Sequence, residues 1–267
     1  MIIDFHTHTF PDKIAARTIE YLSKQGNIKP FSDGTVSGLK ASMKRAGVDI
    51  SVVLPVATSP HQVDTINRLS AELNGREGVY FFGAIHPECE NVGAILDFVK
   101  GAGLRGVKIH PDYQNAFFDD DRYINIISEA VKRDLLAVTH AGLDVAYPDC
   151  IHCTPDMVLR VMKAVGAPLE NKLILAHLGG FALADEVLEK LVGLPVYMDT
   201  AVVLDYYPEK ACEIMRRHGS DKILFASDSP WADQERFVSI VKDMRLDEAD
   251  EKRIFCENAR SLLKIGR

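Results

Sequence analysis

The chain has 267 residues, 47% of them apolar and 26% charged, with a formal net charge of -7. These proportions suit a folded chain with a sizeable core and exclude a disordered or low-complexity one. No basic stripe is available to neutralise phosphates, which argues against nucleic acid as a partner.

No apolar run approaches the length of a membrane span, and the start lacks a basic region followed by an apolar core. A histidine pair already at residue 6 leaves no room for a removable leader, so neither a membrane nor export is expected. Five cysteines without regular spacing read as free thiols in a reducing compartment, and the expected location is cytoplasmic.

The first eight residues, Met1 to His8, open with a short apolar, strand-like run of Ile2, Ile3 and Phe5. His6 and His8 are two apart, so on a strand both imidazoles leave from one face and can grip a divalent metal. Thr9 to Asp12 lead into a helix over Lys13–Lys24, where Ile14, Ala15, Ile19 and Leu22 keep helical spacing. After a polar loop over 27–34, Thr35–Ala46 reads as a helix closed by Gly47. Ile50–Val56 is a buried strand, 61–74 a helix, Val79–Ile85 a strand ending at His86, and Val92–Lys100 a helix.

Leu104–His110 is the fourth strand, followed by a helix over Tyr123–Lys132 and a strand over Leu135–His140. A longer connection, 141–154, precedes a helix over Pro155–Val165, with Thr154 as its N-cap and proline in the first turn. Lys172–His177 is strand, 182–192 helix, Val196–Asp199 strand, Glu209–His218 helix and Lys222–Ser227 strand. Helices near 234–244, 247–256 and 257–264 finish the chain.

Strands that each precede a helix imply a parallel sheet, and eight such units close as a (β/α)8 TIM barrel. The glycine-rich nucleotide fingerprint that an open doubly wound sheet would carry after its first strand is missing. No linker or charge block divides the chain. The expectation is a single domain over 1–267 with extra C-terminal helices.

Active residues of such a barrel gather at the C-terminal ends of its strands. Six of the nine histidines fall there: His6, His8, His86, His110, His140 and His177. Asp199 and Asp228 end the last two strands. A lone histidine is more often a hydrogen-bonded core or loop residue, and Asp228-Ser229-Pro230 is also a turn sequence. Together, His6, His8, His140 and Asp228 supply three imidazoles and a carboxylate from one rim, a first shell for a hydrolytic metal with room for water. Lys108 and His110 share a strand face; the lysine can pair with a substrate carboxylate or snorkel at the rim. A carbamylated Lys108 bridging two metals ranks below both. Cys150-Ile151-His152-Cys153 is a weak metal signal that reads better as a loop with two free thiols. Trp231 is read as a pocket wall or as ordinary packing. His61 and His218 read as helix-associated surface residues.

The stretches Asp4–His8, Gly106–Pro111, Thr139–Gly142, Ala176–Gly180 and Phe225–Pro230, with Glu257–Leu263 near the end, resemble the amidohydrolase superfamily. More narrowly, they are similar to the amidohydrolase-related branch that includes aminocarboxymuconate semialdehyde decarboxylase and 2-pyrone-4,6-dicarboxylate lactonase. The resemblance runs through the whole chain. It implies a (β/α)8 barrel with one divalent metal, zinc first and manganese second, held by His6, His8, His140 and Asp228. It places His177 beside the water or substrate, and a homodimer is common in that branch. Lys108 stands where TatD-type nucleases carry a glutamate, which weakens a nuclease reading.

Three functions follow as expectations. The first is a metal-dependent hydrolase acting on a small polar carbonyl substrate, an amide or lactone, through activated water. Asp228 would be its base, His177 would orient the water or stabilise an oxyanion, and Lys108, His110 and Trp231 would contact substrate. The second is a non-oxidative decarboxylase of a small unsaturated carboxylic acid on the same scaffold, since fold does not choose a reaction. The third is a non-catalytic metal-containing binding protein.

Overall fold

The computed structural model describes residues 1–266. Nine short parallel strands appear in order: β1 (Ile3–Thr7), β2 (Ile50–Val53), β3 (Val79–Phe81), β4 (Gly83–Ala84), β5 (Gly106–Ile109), β6 (Leu136–Thr139), β7 (Leu173–Leu175), β8 (Tyr197–Asp199) and β9 (Ile223–Leu224). β1 to β3 form one ladder and β4 to β9 another, each strand pairing with its sequence neighbour. β3 and β4 are two halves of the single expected strand 79–85, interrupted at Phe82, whose N–H donates to Val53 O at 3.0 Å. The ends meet as well: Phe5 N–H donates to Phe225 O at 2.9 Å, Asp228 N–H to His6 O at 2.9 Å and His8 N–H to Ser229 O at 2.6 Å. Those bonds join the first strand to the last, and the expected (β/α)8 barrel is what the chain forms.

The helices follow the strands: α1 (Asp12–Gly26), α2 (Val36–Ala46), α3 (Val63–Leu73), α4 (Val92–Gly101), α5 (Asp121–Lys132), α6 (Pro155–Val165), α7 (Ala184–Lys190), α8 (Val203–Tyr206), α9 (Pro208–His218), α10 (Gln234–Asp243), α11 (Glu248–Lys252) and α12 (Asn258–Leu263). A π-helical turn over Arg253–Glu257 joins the last two. Among the described residues, no helix is long and apolar enough to cross a membrane. Local chemistry sets several ends. The Thr35 hydroxyl accepts from Gly38 N–H at the start of α2, and Gly47 closes that helix in the left-handed region at φ 68°. Thr154 accepts from Met157 N–H at the start of α6, with Pro155 in its first turn. α8 was not expected from the sequence; it is a single turn between β8 and α9.

Two apolar layers divide the strands by parity. Val107, Ile109, Ala137, Leu173 and Leu175 face the helices. Ile3, Phe5, Ile50, Val52, Phe82, Leu136, Val138, Ile174 and Leu224 fill the barrel, and Ala259 and Leu263 of α12 pack against them. Each fully buried Phe, Leu or Ile contributes roughly 1.5–3 kcal/mol, so this plug is a rigid floor beneath the polar rim. The register of β1 on β2 shifts between Asp4 and Thr7. This irregularity lets the consecutive residues Phe5 and His6 both face inward: Phe5 meets Phe82 edge-on at 5.7 Å, and His6 Nε2 meets Lys108 Nζ at 3.3 Å.

One expectation is corrected. His218 is not a surface residue; it is buried. Its Nε2–H donates to Val196 O at 2.9 Å and its Nδ1 accepts from Gly193 N–H at 3.1 Å, so α9 is pinned to the turn before β8.

Candidate active site

The strand ends bring His6, His8, Lys108, His110, His140, His177 and Asp228 to one cavity of about 1770 Å³, and Trp231 lines its wall. His6, His8 and Asp228 form the tightest group. Their Nε2, Nε2 and Oδ1 atoms are 3.1 Å (His6 to His8), 3.1 Å (His8 to Asp228) and 3.4 Å (His6 to Asp228) apart.

The partners of these histidines fix their tautomers. His6 Nδ1–H donates to Asp199 Oδ2 at 2.8 Å, and His8 Nδ1–H donates to the Leu54 carbonyl at 2.9 Å. Neither acceptor can return a proton. Each Nε2 is therefore a lone pair in the neutral ring, and burial together with Lys108 holds His6 well below the usual imidazole range. Two lone pairs and the carboxylate oxygen Asp228 Oδ1, itself buried without a hydrogen-bond partner, face one another. Three converging electron-rich atoms call for a cation, and two imidazoles with a carboxylate suit zinc or manganese. The outward nitrogens carry the carboxylate and carbonyl partners that orient metal-binding histidines.

His177 and Asp228 are both held in the left-handed region, at φ 58° and φ 78°. Such backbone costs of order 1–3 kcal/mol and persists only where neighbours over-determine it. Here Asp199 Oδ1 accepts from the N–H of His177 at 3.0 Å and of Ala201 at 3.1 Å, while Asp228 N–H is tied to His6 O. Asp199 thus grips His6 through one oxygen and the His177 backbone through the other. Asp4, a buried residue of β1, accepts from Ser227 Oγ at 2.5 Å and Gln234 Nε2 at 2.8 Å and so anchors the segment carrying Asp228.

His140 stands beside this group. His177 Nδ1–H donates to Ala201 O at 3.1 Å, so His177 Nε2 is an acceptor, and His140 Nδ1–H donates to it at 3.0 Å. His140 Nε2 consequently faces away from His177, toward His110, Asp112 and Asp144. His110 and His140 stack at 4.4 Å and 13°. Burial holds both imidazoles well below their usual range, raises Asp112 and pushes Asp144 up to about 6.

Lys108 is 1% exposed, and burial pushes its ammonium down to about 8 against the pull of Asp199, Asp228 and Asp144. Aromatic side chains, among them Phe10, Tyr113, Phe181 and Trp231, wall the cavity above it. Gly142 sets one wall. Its φ is +88°, and a Cβ there would sit 2.1 Å from the Phe181 backbone nitrogen. Only glycine lets the two strand-end loops cross so closely.

A family model described as amidohydrolase matches residues 3–265. The chain belongs to the amidohydrolase family. No curated protein matches the chain by sequence. Among solved structures, 2,6-dihydroxybenzoate decarboxylase from Rhizobium superposes with a TM-score of 0.72 at 16% identity, covering 98% of both chains. An uncharacterised TIM-barrel protein from Bordetella bronchiseptica gives 0.74 at 14% identity, again over 98% of each chain. Dihydroxybenzoic acid decarboxylase from Polaromonas sp. JS666, with bound manganese and the inhibitor 2-nitroresorcinol, gives 0.69 at 14% identity over 100% of this chain and 97% of that one. At such identities these neighbours establish the shared barrel.

Other strand-end residues of this amidohydrolase family member lie apart. His86 is buried and only accepts from Glu88 N–H at 3.2 Å. His61 is at the cavity mouth. The Cys150–Cys153 stretch does not gather ligands: Cys150 is exposed, Cys153 is buried, and His152 Nδ1–H turns to Asp112 Oδ1 at 2.9 Å. Sequence reasoning gave no role to Asp199, Asp112 or Asp144. Asp199 carried a signal, being an acid at a strand end, whereas Asp144 lies inside a connection read only for its cysteines and histidine.

Proposed function

We propose that the chain is a metal-dependent hydrolase of a small carbonyl substrate that also bears a carboxylate. The convergence of His6 Nε2, His8 Nε2 and Asp228 Oδ1 without a proton between His8 and Asp228 carries this reading. His6, His8 and Asp228 would hold one divalent ion, zinc or manganese. The expected fourth ligand, His140, is adjacent through His177. When bound, such an ion supplies Lewis acidity that polarises a carbonyl and lowers the pKa of water.

The side chains have separate tasks. Asp228, through the carboxylate oxygen not turned to the ion, would accept the proton of the attacking water and return it to the leaving group. His177, fixed by Ala201 O, stands beside His6 with its Nε2 holding His140 Nδ1–H, and would orient that water once His140 releases its Nε2. Lys108 pairs with the substrate carboxylate from the cavity floor. Trp231, Tyr113 and Phe181 stack on the substrate body and exclude bulk water.

A second reading, non-oxidative decarboxylation of an aromatic or unsaturated acid, is favoured by the aromatic walls above a buried lysine. The names of the Rhizobium and Polaromonas neighbours support it. One experiment separates the two. The metal-loaded protein is incubated in H₂¹⁸O and, separately, in D₂O with carboxylated lactones and amides and with hydroxybenzoates. Hydrolysis places ¹⁸O in a product acid. Decarboxylation releases carbon dioxide and places deuterium on carbon. Metal-loaded protein that turns over none of them supports a binding role instead.

A further inference from the structure

The loop after β6 carries a carboxylate into the cavity without a cation to meet it. Leu143 N–H donates to Phe181 O at 2.9 Å, and the next residue, Asp144, lines the cavity. Asp144 Oδ1 accepts from Ala146 N–H at 2.8 Å, whereas Oδ2 lies 3.4 Å from His110 Nε2, longer than a good N–H···O bond. Among the described residues, no lysine or arginine forms an ion pair with Asp144; Lys108 acts on it only across the cavity. His110 is 8% exposed, and its Nδ1 has no hydrogen-bond partner. That nitrogen lies 3.8 Å from Asp112 Oδ2, which is also buried and unpartnered.

Aromatic rings surround the open carboxylate. Tyr147 N–H donates to Asp144 O at 2.9 Å, so both side chains leave a single turn. Tyr147 meets Tyr113 edge-on at 5.1 Å and 85°, and Tyr113 meets His110 edge-on at 4.7 Å and 84°. His110, Tyr113, Asp144 and Tyr147 all line the cavity. Near-perpendicular rings beside a carboxylate are the surroundings that hold organic ammonium groups, because a ring face attracts positive charge.

We infer that Asp144, His110, Tyr113 and Tyr147 form a subsite for a primary ammonium group of the substrate. Its N–H groups donate to Asp144 Oδ2 and to His110 Nε2. With Nε2 accepting, the His110 proton rests on Nδ1 and points toward Asp112 Oδ2, so one ligand accounts for both unpartnered atoms. Asp112 is kept in place by His152 Nδ1–H, which donates to its other oxygen at 2.9 Å. A neutral hydroxyl would bring a single donor and no charge. With Lys108 holding a carboxylate, the substrate class narrows to amino acids and their derivatives. This subsite rests on the reading of the cavity as the substrate's, and not on which bond breaks.

The test is calorimetric titration of the full-length, Mn²⁺-loaded protein at neutral pH with two matched pairs: benzylammonium against benzyl alcohol, and para-aminomethylbenzoate against para-hydroxymethylbenzoate. The amine of each pair should bind at least about tenfold tighter than the alcohol. Asp144→Asn should abolish that preference. Tyr147→Leu should weaken amine binding about 2–30-fold and Tyr147→Phe should not, since phenylalanine keeps the ring face. A crystal of the para-aminomethylbenzoate complex should place the nitrogen within hydrogen-bond distance of Asp144 Oδ2, a readout that stands even if Asp144→Asn does not fold. Equal binding of amine and alcohol, a preference that survives Asp144→Asn, or a Mn²⁺ ion on Asp144 in place of the amine overturns the inference. Any of these with an ion beside His8 leaves the proposed function standing. An amine preference that depends on Asp144, in a protein that holds no ion beside His6 and His8, supports the inference and removes the proposed function.

Discussion

The imidazole of His6 donates its Nδ1–H to Asp199 Oδ2 at 2.8 Å, linking the first strand to β8 across 193 residues. Because Asp199 Oδ1 also accepts from the backbone N–H of His177, one buried carboxylate sets the direction of two site histidines. Asp199→Asn retains the oxygen that His177 needs but presents an amide N–H to His6. The His6 proton then moves to Nε2, and the lone pair aimed at His8 and Asp228 is lost. The affinity for Zn²⁺ or Mn²⁺ should fall about 10–100-fold. Calorimetric titration of the stripped protein checks this, and an unchanged dissociation constant would show that Asp199 does not orient a ligand.

Asp228 occupies φ 78°, a conformation that asparagine tolerates better than most residues. Asp228→Asn therefore keeps the backbone and removes the base. Turnover should drop by about 10²–10⁴, with the melting temperature close to wild type. Metal content must be measured in the same sample, since this residue is also placed as a ligand. Activity near wild type in a metal-loaded Asp228→Asn protein would refute its role as base.

The barrel was legible because parallel strands buried on both faces read as short apolar runs, as in Leu135–His140, with polar residues where the runs stop. The same punctuation exposed His6, Lys108, His110, His140, His177 and Asp228. Other features depend on contacts between distant residues. Nothing near Asp144 marks it, because its place follows from Gly142 and Leu143 lying against Phe181. The turn of His140 toward His110 and Asp112 depends on a proton fixed by Ala201 O, far along the chain. His218 looked like a surface residue because it ends a charged helix, yet the turn before β8 covers it.

Gly142 makes a prediction about that wall. Gly142→Ala would place a methyl 2.1 Å from Phe181 N and 2.3 Å from Phe181 O, at φ +88°. Both the backbone strain and the clash oppose it, and neighbouring backbone cannot yield cheaply. A loss of about 2–4 kcal/mol is expected, or roughly 4–16 °C in melting temperature for a chain of this size. Scanning calorimetry checks it; a shift under about 1 °C would mean that the two loops separate without cost.

Acid stability offers a test away from the cavity. Asp120 caps α5, accepting from Arg122 N–H, and its ion pair with Arg122 lowers its carboxyl to about 2. A depressed carboxyl stabilises the fold above its unfolded value near 3.8 and loses that contribution as pH falls through about 2. Asp120→Ala should cost about 1 kcal/mol at neutral pH. The gap between variant and wild type in thermal melts should shrink below about pH 4. A gap that stays constant to about pH 2 would contradict the assignment.

Lys108 separates binding from stability, because its ammonium is buried and its Nζ donates to His6 Nε2 at 3.3 Å. Burying that charge opposes folding, and Lys108→Met replaces it with an apolar side chain of similar reach. The variant should therefore melt at or above the wild-type temperature. Removing the ammonium beside His6 should also leave metal affinity equal or higher. Against this, a carboxylated substrate loses a charge-assisted hydrogen bond worth about 1.5–3 kcal/mol, so KM should rise about 10–150-fold. A neutral ester of the same substrate should show little change. The comparison of acid and ester on one pair of proteins is decisive: equal losses on both, or a variant that melts well below wild type, would make Lys108 a structural residue rather than the partner of a substrate carboxylate.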